Sequence, residues 1–402
     1  MFSARLLAFG VPSEWSRQVA ARRIHGPEFI DLTGTNPTIC GLPPGESALA
    51  ALRDVAGASY EPNPLGLLPA RQAVAADLAR FGTPVDAGRL LLTASTSEAY
   101  GFLFKLLCDP GDEVMVPIPG YPLFEHLAAF DAVRCVRYPL VLDGGWTLDL
   151  DEFEACVTPG SRVLILISPH NPTGWCLPAA RFAALLELAA RHDLAVIVDE
   201  VFADFCFHGG AWGSSASENA LPAPPVLAAR AEVGLCVSLG GLSKSAGLPQ
   251  MKVSWLLVGG EAAAATAALT ALEGIADAYL SVATPQQLAL PAWLSGADAY
   301  RTTLRRRLDT NRAALVNALQ HAPPCQVIDA SGGWMAVVRV PAVVDDLTEC
   351  RRLLADFDLL VHPGYLFDMP AGTFLVLSLL PPCPVFAEGV RRLGVALSAG
   401  QE

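Results

Sequence analysis

The hydrophobic pattern in the middle of the chain alternates between short apolar runs and longer amphipathic stretches. The runs 89–93, 162–168 and 194–200 are almost wholly apolar, as is typical of strands buried on both faces of a sheet. The stretches 95–107 and 177–193 have apolar residues at helical spacing. Further strands are predicted at 112–117 and 234–239, and a further helix around 261–272. Because strands alternate with helices, the pattern predicts βαβ units, and therefore an α/β fold with a mostly parallel sheet.

Polar residues follow several of these predicted strands. Asn171 comes shortly after 162–168, Asp199 ends the next strand, and Lys244 follows 234–239. Ligands of parallel sheets bind outside the carboxyl ends of the strands, so we expect these three side chains to meet at one edge. Taken singly, the amide also fits a turn and the carboxylate a loop contact. Together they indicate a site that combines an amide, a carboxylate and an amine.

An anion site is predicted beside them. The helix 95–107 begins with three hydroxyl residues, Ser95, Thr96 and Ser97. Hydroxyls and free N–H groups at a helix N-terminus bind anions, although the same residues also serve as simple helix caps.

Lysine is scarce in this chain. Of 27 lysines and arginines, only Lys105, Lys244 and Lys252 are lysine. Arginine cannot lose its proton, whereas a partly desolvated lysine can and then forms a Schiff base. We therefore interpret Lys244 as a catalytic amine, while Lys105, late in a helix, is expected on the surface.

Composition narrows the class of protein. The chain has 402 residues, is 52% hydrophobic and carries a net charge of −13, so it has material for two domains and no basic surface for nucleic acid. Its apolar runs stop far short of the roughly 20 residues of a membrane span. Its 10 cysteines and 7 histidines show no metal-binding spacing. We expect a cytoplasmic protein with reduced thiols, no metal and no membrane partner.

These features resemble the class I/II aminotransferases, which are fold-type I enzymes dependent on pyridoxal 5'-phosphate (PLP). The similarity follows the family's order along most of the chain. The matching segments are Tyr60–Gly66 (Y-x-P-x-P-x-G) with Arg71, "TASTSEA" at 93–99, "CDPGDEVMVPIPGYPLF" at 108–124, "NPTG" at 171–174, "VDEVFADF" at 198–205, "SKSAGLPQMK" at 243–252 and "VHPGYLF" at 361–367.

The resemblance implies the PLP-transferase fold type I. A large domain at 46–290 would contain a mostly parallel seven-stranded sheet flanked by helices. A smaller α+β domain would combine 1–45, including an N-terminal arm, with 291–402. Tyr60 would reach the phosphate in the partner subunit, which implies a homodimer with shared active sites.

The resemblance also implies roles in catalysis. Lys244 would bind PLP as a Schiff base and then carry a proton between substrate and cofactor. Asp199 would pair with the pyridine nitrogen and make the ring an electron sink. Asn171 would bind the ring O3', and Tyr121 would stack on the ring.

The phosphate would be bound by Ser95, Thr96 and Ser97, together with Ser243. Lys252 stands eight residues after Lys244, where the family usually has a phosphate-binding arginine. Since this chain otherwise prefers arginine, we interpret Lys252 as a phosphate ligand in a locally reshaped site.

Several positions depart from the family pattern. Phe202 replaces a tyrosine that binds O3', and Gly241 replaces a phosphate-side serine. Thr35 stands at the glycine of an N-terminal substrate segment. Val376 falls where an arginine usually holds the substrate carboxylate, and Arg339 is the alternative cation that we predict for that role.

The predicted function is transfer of an amino group from an amino acid donor to a 2-oxo acid acceptor. A carbon–sulfur lyase and an amine-acting transaminase remain alternatives, because both begin with the same proton removal at Cα. A PLP-binding regulator is a third, which the acidic charge disfavours.

Overall fold

The computed structural model describes residues 3, 5, 12–207, 225–280, 282–320, 322 and 325–399. The helices are α1 (Glu14–His25), α2 (Glu46–Ala50), α3 (Leu68–Leu78), α4 (Thr96–Leu107), α5 (Phe124–Phe130), α6 (Leu150–Ala155), α7 (Ala179–Arg191), α8 (Leu242–Ser245), α9 (Ala262–Tyr279), α10 (Thr284–Ser295), α11 (Ala297–Leu319), α12 (Asp346–Asp356) and α13 (Cys383–Ala399). The strands are β1 (Ile30–Asp31), β2 (Leu90–Thr93), β3 (Glu113–Ile118), β4 (Arg134–Pro139), β5 (Val141–Leu142), β6 (Trp146–Thr147), β7 (Ser161–Ile167), β8 (Ala195–Asp199), β9 (Leu235–Gly241), β10 (Ser254–Gly260), β11 (Gln326–Val327), β12 (Met335–Val340), β13 (Leu359–Leu360), β14 (His362–Pro363) and β15 (Thr373–Ser378).

The main sheet has seven strands in the order β2-β10-β9-β8-β7-β3-β4. β10 is antiparallel to both of its neighbours, and the pairs from β9 to β4 are parallel. The predicted mostly parallel, seven-stranded α/β sheet is therefore confirmed. The hydrophobic pattern does not show the reversed direction of β10, because a buried strand is apolar in either direction.

Helices cover both faces of this sheet. Leu91, Leu239 and Leu256 pack on one face against α4 and α9. Leu166 and Val198 pack on the other face against α3, α7 and α10. The central strands are buried on both sides and mostly apolar, and the candidate site begins at their carboxyl ends.

A second, antiparallel sheet has the order β11-β12-β15-β14. One of its faces packs on α11, α12 and α13 in a core that includes Trp334, Val338 and Leu375. The short parallel pair of β1 with β13 joins the N-terminal segment to this layer. The proposed domain boundaries, 46–290 against 1–45 with 291–402, place the two sheets in different domains.

Within the described ranges, no helix is both long and apolar enough to cross a membrane. The same ranges contain no cluster of histidine, cysteine and carboxylate side chains suited to a metal ion.

Candidate active site

Three neighbouring strands bring the predicted residues together. In the sheet register, Asp199 of β8 lies between Ile167 of β7 and Leu239 of β9. Asn171 follows β7 within four residues, and Lys244 follows Leu239 within five. The carboxyl ends of β7, β8 and β9 therefore carry the amide, the carboxylate and the amine at one edge of the sheet, as predicted from the pattern.

Asp199 is held by two hydrogen bonds. The Tyr100 hydroxyl donates to Oδ2 at 3.1 Å, and the backbone N–H of Val201 donates to Oδ1 at 3.1 Å. Desolvation raises the pKa of Asp199 to about 6, while these donors and the Lys244 charge act in the opposite direction. The carboxylate is thus positioned to pair with a positively charged hydrogen-bond donor. Such a donor would lower the pKa of Asp199 again.

Lys244 lies in the short helix α8, and two aromatic rings lie close to its amine. Its Nζ is 4.7 Å from the ring centre of Trp334 and 5.5 Å from that of Phe202. Desolvation lowers the pKa of the amine, and the Asp199 charge partly offsets this effect. A larger fraction of Lys244 is therefore neutral, and nucleophilic, near physiological pH than for a surface lysine.

Trp334 joins the second sheet to this site. Its ring packs edge-to-face on Phe202 and Phe205, with ring centres 5.3 Å apart in both pairs. The backbone N–H of Gly333 donates to the Phe205 carbonyl at 3.0 Å. A Cβ on Gly332 would lie 2.8 Å from that same oxygen, so the close approach of the two segments requires glycine.

Two polar atoms at the site are buried without a hydrogen-bond partner among the described residues. They are Oδ1 of Asn171 and Nε1 of Trp334. Buried polar atoms are rarely left unpaired, so both indicate a ligand. PLP fits this set: its aldehyde matches the Lys244 amine, its ring nitrogen the Asp199 carboxylate and its ring hydroxyl the Asn171 amide.

The predicted phosphate residues lie at the start of α4. The Ser95 hydroxyl accepts from the N–H of Glu98 at 3.1 Å, and the Glu98 carboxylate accepts from the N–H of Ala94 at 2.7 Å. Ser95 is therefore a capping residue in a reciprocal box. The N–H groups of Thr96 and Ser97, in the first turn, have no partner within an α-helix, and such groups are suited to bind an anion.

Ser243 and Lys252 approach the same region from β9 and β10. Ser243 is half-buried beside Lys244, in the first turn of α8. Lys252 is exposed, has a left-handed backbone (φ 53°) and lies two residues before Ser254, which pairs with Thr93 at the end of β2.

Two predicted residues lie on outer loops. The Tyr121 side chain is 47% exposed, and its loop is attached to the second sheet by the Gly120 N–H, which donates to the Phe367 carbonyl at 2.8 Å. Tyr60 is 70% exposed and lies on the loop before α3. Among the described residues, neither hydroxyl has a hydrogen-bond partner, and both roles remain predictions.

The predicted substrate residues are separated. Thr35 is exposed after β1. Arg339 is exposed near the end of β12, close to Gly372. Val376 is fully buried, paired with Val337 on one side and with His362 on the other. Val376, which we predict to stand at the position of the family's arginine, is thus part of the buried core.

Sequence reasoning missed two residues of this site. Tyr100 was part of an amphipathic helix, with no signal that its hydroxyl would reach Asp199. Trp334 follows two glycines, Gly332 and Gly333, and that pair was the only hint of a close approach.

With this geometry in place, comparison with known proteins identifies the family. Residues 46–377 match the family model of class I and II aminotransferases, so the chain belongs to that family. It is 31% identical over 321 residues to an arginine–pyruvate transaminase of Pseudomonas aeruginosa, which covers 79% of this chain and 76% of the relative. It is 33% identical over 338 residues to a probable N-succinyldiaminopimelate aminotransferase of Mycobacterium tuberculosis, covering 82% and 80%.

Solved structures agree with this result. An alanine aminotransferase from Pyrococcus furiosus superposes with a TM-score of 0.85 at 22% identity, over 99% of this chain and 100% of the other. An N-succinyldiaminopimelate aminotransferase from Mycobacterium tuberculosis gives 0.77 at 27% identity, over 98% and 100%. The protein is a PLP-dependent aminotransferase of fold type I, which confirms the predicted class, cofactor and fold.

Proposed function

We propose that this aminotransferase uses Lys244 both to bind PLP covalently and to move the proton at the substrate Cα. The observation that carries this proposal is the Lys244 amine, whose pKa is lowered by desolvation and which lies beside Trp334 and within electrostatic reach of Asp199. The unpaired Oδ1 of Asn171 follows the neighbouring strand. Bound there, PLP supplies an aldehyde for the amine and a ring that withdraws electrons from Cα.

Lys244 has two tasks in this proposal. As a neutral amine it would hold the cofactor through its aldehyde, and the lowered pKa of Lys244 raises the fraction of neutral amine available for this. With substrate bound in the loaded enzyme, Lys244 Nζ would be the group that takes the proton from Cα and holds it for return. The rings of Trp334 and Phe202 exclude water from this amine and restrict its position.

Asp199 and its donors have an electrostatic task. An ionised Asp199 keeps the ring nitrogen protonated, and that positive charge stabilises the electrons released at Cα. Tyr100 and Val201 hold the two carboxylate oxygens in place. The unpaired Oδ1 of Asn171 would accept a hydrogen bond at the ring hydroxyl.

The substrate end of the site is unusual. Val376 is enclosed by Val337, Phe374 and Phe367 in one apolar cluster, so a carboxylate at this position would meet no positive charge there. We propose that the donor's carboxylate is bound by groups other than residue 376. Thr35 and Arg339 remain our predicted contacts. If no carboxylate is bound, the substrate is an amine, and amine transamination is the second candidate function.

We also propose a homodimer with shared sites. Tyr60 is exposed, and so are the apolar side chains of Ile39, Leu49 and Val55 nearby in sequence. A second copy covering this surface would remove them from water and bring Tyr60 to the partner's phosphate. Mixing Lys244→Ala with Tyr60→Phe chains tests this proposal, since shared sites let the mixed dimer recover one intact site and independent sites do not.

We propose a cytoplasmic location on the basis of the thiols. All 10 cysteines lie within the described residues, and none forms a disulfide. Free thiols in this number are typical of a reducing compartment.

A half-reaction screen tests the function. The PLP form is mixed with single amino acids, with the matching decarboxylated amines and with sulfur-containing substrates, and the cofactor absorption band is followed. Conversion to the pyridoxamine form by an amino acid supports the proposal, and Arg339→Ala on that donor then tests the carboxylate contact. Reaction with amines alone shows the second function. Release of pyruvate and ammonia without an acceptor shows a lyase and overturns the proposal.

A further inference from the structure

A side chain on Gly241 would collide with Ser254. A Cβ built on Gly241 would lie 2.4 Å from Oγ of Ser254 and 3.1 Å from its Cβ. These distances are shorter than ordinary contacts between such atoms. The Ser254 hydroxyl therefore fills the space that a side chain at position 241, three residues before Lys244, would occupy.

The strand register explains this overlap. Ser254 begins β10 and pairs with Gly241 of β9 on one side and with Thr93 of β2 on the other. Residues directly opposite on antiparallel strands project to the same face of the sheet. Ser254 is thus the side chain available at the point where β9 and β2 both end.

The face on which Ser254 projects is the one covered by α4. Side chains two residues apart on a strand share a face, so Ser254 projects on the same side as Leu256. Leu256 packs with Leu91 and with Phe102 and Leu103 of α4 in one cluster. Since α4 begins three residues after Thr93, the Ser254 hydroxyl lies near the N-terminus of that helix.

The hydroxyl is also free to bind. Ser254 is 4% exposed, and its hydroxyl has no hydrogen bond to any other described residue. Two neighbouring hydroxyls are already used: Thr93 donates to the Ser95 carbonyl at 3.0 Å, and Ser245 donates to the Gly241 carbonyl at 3.0 Å. The Ser254 hydroxyl therefore keeps its donor available for a ligand that enters this site.

We infer that the Ser254 hydroxyl donates a hydrogen bond to the phosphate of PLP and replaces the hydroxyl that Gly241 lacks. Ser254, on the adjacent strand β10, would thus place a hydroxyl where a serine at position 241 of β9 would otherwise place one. This inference rests on the proposed position of the phosphate at the start of α4, and it assigns Ser254 as a cofactor-binding residue.

The test compares PLP with pyridoxal, which lacks the phosphate. Cofactor-free protein is titrated with each, and the dissociation constant is read from the absorption of the complex. Ser254→Ala is expected to weaken PLP binding by roughly tenfold or more, as for a lost hydrogen bond to a charged group, and to leave pyridoxal binding unchanged. Ser245→Ala is the matched control, because that hydroxyl is equally buried and bonds only to the backbone.

Exchanging the residues at positions 241 and 254 makes the test more specific. Gly241→Ser alone places two side chains in one space and should weaken PLP binding. Ser254→Gly alone removes the hydroxyl and should also weaken it. The double variant restores a single hydroxyl at the same place, so its affinity should return to within a few-fold of the original. Additive losses in the double variant would overturn the inference.

The failure of this inference is distinguishable from failure of the proposed function. If the unmodified protein binds PLP and pyridoxal equally well, the phosphate is not at the start of α4 and the proposed site is wrong. If it prefers PLP, but Ser254→Ala keeps the whole preference, only the role of Ser254 is wrong.

Discussion

The Tyr100 hydroxyl lies 3.1 Å from Oδ2 of Asp199, and Tyr100 belongs to α4, whose first turn is the proposed phosphate site. A single helix therefore connects the two ends of the proposed cofactor site. Its N-terminus faces the phosphate, while its second turn positions the carboxylate that faces the ring nitrogen. Because α4 is buried against the sheet, this spacing is set by core packing.

We predict that Tyr100→Phe raises the pKa of Asp199, because the hydroxyl bond favours the ionised carboxylate. Transamination should fall by about tenfold, as for loss of one hydrogen bond to a charge, and the acidic limb of the kcat pH profile should move to higher pH. Tyr138→Phe is the matched control: Tyr138 is also buried, but its hydroxyl donates to the Ile165 carbonyl. An unchanged acidic limb in Tyr100→Phe would contradict the prediction.

Asp199→Asn should make the cofactor-free protein more stable while removing most activity. The folded-state pKa is raised from 3.8 to about 6, so the ionised carboxylate destabilises the fold above about pH 6. This penalty, about 3 kcal/mol at most, disappears as the pH falls below 3.8. Denaturant unfolding at a series of pH values should show a stability gain that is largest at neutral pH and absent near pH 4. A constant difference across this range would argue against a desolvated charge at Asp199.

Replacement of Lys244 should separate covalent attachment from binding. Lys244→Ala should bind PLP without the absorption of the covalent form, and its rate should fall by roughly 10²–10⁴-fold or more, since both nucleophile and proton carrier are lost. Lys244→Arg keeps the positive charge but supplies no neutral amine, and should be equally inactive. Lys105→Ala is the control, because Lys105 pairs with Asp131 at the surface, as expected from sequence. Full activity in Lys244→Arg would exclude the proposed role of Lys244 as nucleophile and proton carrier.

Trp334→Phe should change substrate or cofactor binding more than stability. The Trp334 N–H has no partner among the described residues, so its removal costs the folded chain little. In contrast, the N–H of Trp293 donates to the Ala48 carbonyl at 2.8 Å, and Trp293→Phe should cost about 1–3 kcal/mol of stability. Thermal unfolding and KM, measured for both variants, should therefore show opposite patterns. If Trp334→Phe changed neither KM nor PLP affinity, the Trp334 N–H would have no role in binding substrate or cofactor.

Lys252→Ala should weaken PLP binding by about tenfold, since a charge on the phosphate is lost. Lys252→Arg should retain most of the affinity at low salt. Titration of the cofactor-free protein with PLP measures both. Unchanged affinity in Lys252→Ala would show that this exposed lysine is not a phosphate ligand.

The sequence by itself determined which polar groups follow which strands. The scarcity of lysine singled out Lys244, and the position of Asn171 and Asp199 after apolar runs placed them at the ends of strands. The placement at strand ends agrees with the structure because a buried parallel strand has a strong local signature, and because topology brings the carboxyl ends of such strands to one edge, whereas the catalytic role of Lys244 stays a prediction. The family, fold and cofactor followed from the same segments.

Contacts between side chains distant in sequence were decided by tertiary structure alone. Tyr100 meets Asp199 from a helix 99 positions away, and Trp334 meets Lys244 from the second sheet. Ser254 opposes Gly241 only because β10 runs antiparallel to β9 in one particular register. A shift of one residue would turn Ser254 to the other face, and no local pattern in this mostly apolar strand specifies that register. It is set by how helices and strands pack together, which is a property of the whole core.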